Sequence, residues 1–108
     1  MNREQDTAYN AIVEAVREVN CRRTFRNIGT PEREELDKAV LLLEELSWKI
    51  ISDDIAKFSE RMATAAKDLK ALAGRIDKNN KQLKTVAAVI KKAADAAVRA
   101  ASIAVKMI

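Results

Sequence analysis

The sequence predicts an all-α fold, a three-helix antiparallel bundle dominated by a long helical hairpin with heptad packing. Three observations carry this reading. The 108 residues include only two glycines and one proline, too few for the turns that sheets require. Ala, Leu, Ile, Val, Glu and Lys dominate, the composition of long helices. Apolar residues also recur at seven-residue spacing from Leu41 to Ala104, which marks helices packed lengthwise through a narrow seam. A chain of this length makes one domain, residues 1–108, with a modest core.

The first helix is predicted over about 6–26. Asp6 or Thr7 is suited to cap its first turn. Tyr9, Ile12, Val13, Val16 and Val19 follow at three- and four-residue spacing, hence on one face. Arg22, Arg23 and Arg26 gather at the far end, where the helix dipole favours cations. Gly29 in "NIGT" ends it, because glycine accepts a positive φ without steric cost.

The second helix has the clearest start in the chain. Thr30 is a good N-cap, Pro31 fits the first helical position, and Glu32, Glu34 and Glu35 complement the positive end of the dipole. No stop is evident until about residue 74. "SDD" at 52–54 is able to cap a new helix, but no Gly or Pro precedes it and the apolar period continues through "ISDDIAKFSERM". These polar residues are therefore read as the outer face of a continuing helix.

The seam consists of Leu41, Trp48, Ile55, Met62, Leu69, Ile76, Leu83, Ile90, Ala97 and Ala104. Three residues after each come Glu44, Ile51, Phe58, Ala65, Leu72, Asn79, Val86, Ala93, Ala100 and Met107, of which only Glu44 and Asn79 are polar. The segment "GRIDKNNK", Gly74 to Lys81, admits two readings. One is a single rod over 31–108, about 117 Å long, with Asn79 as a polar seam residue that sets register. The other is a hairpin, with the last helix over about 79–108. Gly74, Asn79 and Asn80 are poor helix formers, and asparagine tolerates turn conformations, so the hairpin is preferred. Folding back there brings Met107 towards Trp48, and the first helix, folding back at about residue 28, brings Tyr9 there too, so Trp48 is expected to be buried.

Function is narrowed mostly by exclusion. There is no histidine, no Cys-x-x-Cys and no glycine-rich phosphate loop, so the usual bases, zinc ligands and nucleotide cradles are missing. The acidic cluster Glu32, Glu34, Glu35 and Asp37 reads as dipole compensation at a helix start. No catalytic residue, cofactor or metal site is assigned, and an enzyme is not expected. Charged residues interrupt every apolar run, and the polar start has no signal-peptide character. The single Cys21 cannot form an internal disulfide, and it falls on the polar side of the first helix. A cytoplasmic protein is the expectation.

Two surfaces stand out for partners. Alanine crowds the last helix, and Ala87, Ala94, Ala101 and Ile108 share a flank not needed for the seam. That flank is expected to contact a second copy, since two-fold homodimers are the commonest oligomers. Lys78, Lys81, Lys84, Lys91, Lys92, Arg99 and Lys106 lie opposite the seam and form a basic stripe that suits an anionic membrane surface or nucleic acid. The stripe has no aromatic to stack or anchor, so a self-associating helical module for protein–protein interaction is the leading expectation, with the anionic surface second.

Overall fold

In a computed structural model the described residues, 3–52, 55–79 and 81–106, form four helices and no strand. These are α1 (Arg3–Arg23), α2 (Pro31–Ile51), α3 (Ile55–Asn79) and α4 (Lys84–Lys106), with a 3₁₀ turn over Lys81–Leu83 leading into α4. The all-α class is as expected, but three helices become four. Each of α1 and α3 packs against both α2 and α4, and the body measures 45 × 20 × 20 Å. Neighbours run antiparallel: Gln5 near the start of α1 donates to the Ile50 carbonyl near the end of α2 at 3.3 Å. Arg75 late in α3 meets Glu35 early in α2, and Lys70 of α3 pairs with Asp95 of α4.

The long helix expected over 31–74 is two helices. At Ser52 the backbone leaves the helix for an extended conformation, φ −65° and ψ 139°, and its amide donates to the Lys49 carbonyl. No glycine is needed for that exit, because any residue adopts it. The polar "SDD" is thus a break rather than an outer face, although Asp53 and Asp54 themselves lie outside the described residues. The seam shows the consequence. Met62, Leu69, Ile76, Leu83, Ile90 and Ala97 are buried, as are Ala65, Leu72, Val86, Ala93 and Ala100. Extended backwards across the break, the same frame lands on Leu41 and Trp48, which are 68% and 74% exposed. In α2 the buried set is instead Leu36, Ala39, Val40, Leu43, Leu46 and Ile50, in a frame of its own. Trp48 is not the buried junction it was expected to be.

The turn in "GRIDKNNK" is real but late. Gly74 is inside α3, which ends at Asn79, and Asn80 lies outside the described residues. A methyl group added at Gly74 would meet nothing within 4 Å, so packing does not demand glycine there. At the other end, α1 begins at Arg3, earlier than the expected cap, and the Thr7 hydroxyl donates back to the Arg3 carbonyl at 2.9 Å. The α1–α2 link follows expectation more closely: Gly29 has φ +92°, Pro31 begins α2, and the Thr30 hydroxyl accepts from the Arg33 amide.

Arg33 also closes the end of α1. Its Nη1 donates to the carbonyls of Arg23 at 3.0 Å and Arg26 at 3.1 Å, while its Nε donates to Asp37. The Arg23 carbonyl also accepts from the Arg26 amide at 3.1 Å, while the Arg26 carbonyl lies in the link beyond α1. Arg33→Ala is expected to lower stability by about 1–3 kcal/mol, most of it from the hydrogen bonds lost to the two carbonyls, since the ion pair to a half-exposed Asp37 adds little. Arg33→Lys should restore little, because an ammonium cannot supply the same fork of donors. A urea midpoint unchanged in Arg33→Ala would refute this cap.

The core joins large side chains on α2 to small ones on α4. Leu36, Leu43, Leu46 and Ile50 are fully buried, as are Ala93, Ala97 and Ala100. Leucine-sized groups filling the space above alanines let α2 and α4 approach across the bundle diagonal, where contacts are indeed present.

Candidate interaction surfaces

The expected oligomer flank is interior. Ala87, Ala94 and Ala101 are 5%, 1% and 4% exposed within the single chain. Ala94 faces the groove shared with Ala63 and Ala66 of α3, and Ala87 lies beside Ala73 and Gly74. The helix that closes on this side of α4 is α3. Ile108 lies outside the described residues. The alanines permit close packing as anticipated, but inside the molecule rather than between molecules.

The basic stripe is at the surface. Lys78, Lys81, Lys84, Lys91, Lys92 and Arg99 are all exposed, and the side chain of Lys106 lies outside the described set. They do not form one cluster. Lys78, Lys81 and Lys84 surround the α3–α4 turn, whereas Lys91, Lys92 and Arg99 line the groove between α4 and α1 with Glu14 and Asp95. On the other side of α4, Arg99 joins Lys67 and Lys70 along a second groove of about 680 Å³, with Ala63, Ala66, Ala94 and Val98 at its base and walls. Lys70 spans that groove to Asp95 at 2.7 Å.

The surface not anticipated is the outer face of α2. Leu41, Glu44, Trp48 and Ile51 succeed one another at three- and four-residue spacing and are all exposed. Exposed Glu45 flanks them and pairs with Lys49. This helix holds six acidic and three basic side chains, against eleven basic and four acidic in α3 and α4 together. The molecule is therefore polarised, with an acidic and apolar side at α2 and a basic side at α3 and α4. One signal in the sequence did point here: "VLLLEELSWKII" is apolar nearly all round, which provides more apolar positions than a single buried stripe uses. A second apolar pair, Phe25 and Ile28, projects from the α1–α2 link with exposures of 77% and 87%.

A cavity of about 310 Å³ lies at the end of the bundle between Pro31, Glu35, Arg75, Ile76 and Leu83. Its carboxylate and guanidinium stand 3.6 Å apart and offset each other's charge. Cys21 is exposed on α1, as its helical position predicts. Among the described residues no group of three or more His, Cys, Asp or Glu side chains is placed to hold a metal ion, and no helix is long and apolar enough to cross a membrane. Compared with protein-family models, curated proteins and solved structures, the chain matches none of them.

Proposed function

We propose that this chain is a non-catalytic helical interaction module that works in the cytoplasm and docks a partner helix on the outer face of α2. The observation that carries the reading is the exposed Leu41–Trp48–Ile51 stripe within an acidic surround. Tryptophan and leucine on the outside of a helix add nothing to the core of their own chain. Covering them returns about 1.5–3 kcal/mol for each side chain fully buried, and tryptophan is among the residues that most often dominate interfaces. An exposed, unpaired thiol at Cys21 suits a reducing compartment.

Trp48 is the only tryptophan, so it reports directly on the surface proposed. In dilute protein its emission is expected near that of free indole. It should move to the blue when a synthetic amphipathic helix of leucine and lysine is titrated in, and Leu41→Ser should weaken that shift at least tenfold in peptide concentration. Leu41→Ser itself should alter unfolding free energy by no more than about 0.5 kcal/mol, as for other surface positions. Emission typical of buried indole in the dilute protein, or no movement with the peptide at any concentration, would refute the docking surface.

A second reading rests on a different observation. Phe25 and Ile28 project at the end of the bundle that also carries Lys78, Lys81 and Lys84, and apolar tips beside cations suit an anionic lipid surface. Salt-sensitive co-sedimentation with phosphatidylserine vesicles, lost in Phe25→Ser, is the outcome that this reading requires.

A further inference from the structure

We infer that the partner of the α2 face is a second copy of this chain, engaged through the groove between its α3 and α4, so that copies associate head to tail. This rests on the interaction-module reading and names its occupant. The first ground is charge. The α2 face sets Leu41 and Trp48 beside Glu44 and Glu45, and the α3–α4 groove sets Val98 and three alanines beside Lys67 and Arg99. Glu45 is already paired with Lys49 and Asp95 with Lys70, so Glu44 on one surface and Lys67 and Arg99 on the other are the charges that face outward, and electrostatic complementarity of this kind selects partners and orientation.

The second ground is what the same charges forbid. A two-fold contact places the α2 face against its own copy. If the two helices run antiparallel with Leu41 over Trp48, then Glu44 of one copy meets Glu45 of the other, because these two lie midway between them. If they run parallel, each glutamate faces its own counterpart. Both arrangements bring carboxylates together at the centre of the contact, where like charges are costly. The groove offers cations at that place instead.

The third ground is shape. The groove holds about 680 Å³, and its accessible apolar side chains are Ala63 and Val98, with Ala66 and Ala94 at its base at 1% exposure, so an indole finds room between the α3 and α4 side chains. The acid already in the groove, Asp95, is tied to Lys70 at 2.7 Å. Lys67 and Arg99 are exposed and line the groove, the cations that Glu44 would meet. Because the α2 face and the groove are different surfaces of one molecule, the contact leaves one of each unfilled at the ends of any chain of copies, and growth continues with concentration.

The experiment uses two double variants of the full chain. Leu41→Ser with Trp48→Ala removes the stripe, and Lys67→Glu with Arg99→Glu reverses the groove; all four positions are exposed, so both should melt within a few degrees of the parent. Sedimentation of the parent should give an average mass that rises without a plateau as concentration increases and falls back at high salt. Each variant alone should stay at the 12.0 kDa of one chain. Mixed together they should form a one-to-one dimer and nothing larger, since each retains only the surface that the other lost. A parent that is monomeric at high micromolar concentration overturns the inference, as does a discrete dimer whose two variants fail to rescue each other. If self-association is absent and Trp48 emission still shifts with the leucine–lysine helix, the second copy is wrong and the interaction module stands. If neither occurs, both fall.

Discussion

Ala94→Glu together with Ala101→Glu is expected to unfold the bundle. Both alanines are within the closed interior, at 1% and 4% exposure, on a helix that packs against α1 and α3. Glutamate adds four heavy atoms beyond each methyl's own site, and forcing extra volume into a packed core costs about 1–3 kcal/mol per position. Each carboxylate would also enter an apolar surround without a partner, a further cost of several kcal/mol unless it takes up a proton or drags the helix outward. A domain of this size is stable by about 5–15 kcal/mol in all, so two such insertions exhaust it. Circular dichroism should show much reduced helix and no cooperative urea transition. Ala94→Ser, which adds one atom able to bond back to its own helix, should retain the fold. If the double glutamate variant kept the parent's transition and differed only in association state, the alanines would have to be surface after all.

Most of what was not readable from the sequence lies in one residue. The all-α class, the Thr30–Pro31 start, the positive-φ Gly29 and the shared frame of α3 and α4 are all local matters, written in composition, caps and spacing. The exit at Ser52 is local too, but it uses an extended conformation open to every residue and so leaves no glycine or proline to mark it. The apolar spacing then carried smoothly from Ile51 across to Phe58 and concealed a change of frame. One error followed from the missed break. Leu41 and Trp48 were assigned to a seam they do not enter, so the exposed stripe was hidden. Ala87, Ala94 and Ala101 read as a free flank only while the seam is counted as one narrow line of contacts; α3 covers them as well. The described basic residues from Lys78 to Arg99, by contrast, are outside as expected, since a run of lysines opposite an apolar seam has nowhere else to go.

The four-helix arrangement decides what becomes of the chain without α1. A version beginning at Thr30 is expected to lose its cooperative fold. Were α1 an accessory lying on a self-sufficient hairpin, its removal would cost little beyond its own contacts. In the observed arrangement it bridges α2 and α4, and Ala8, Ile12, Ala15 and Val19 have no exposure at all. Burial of the isoleucine and valine alone accounts for about 1.5–3 kcal/mol each, and the facing apolar sides of α2 and α4 would be uncovered by a similar area. The end contacts go as well: Arg33 loses the Arg23 and Arg26 carbonyls, and the Gln5 bond to Ile50 disappears. Taken from a total of about 5–15 kcal/mol, the loss leaves a chain with a wet seam and alanine-rich walls too thin to close it. Urea titration followed by circular dichroism should show a broad, sloping transition, and size exclusion should show expansion or self-assembly by copies borrowing one another's helices. Adding residues 1–29 as a separate peptide should restore a sharp transition and a compact one-to-one complex. A truncated chain that stays monomeric and unfolds as cooperatively as its parent would mean that α2, α3 and α4 hold the core by themselves.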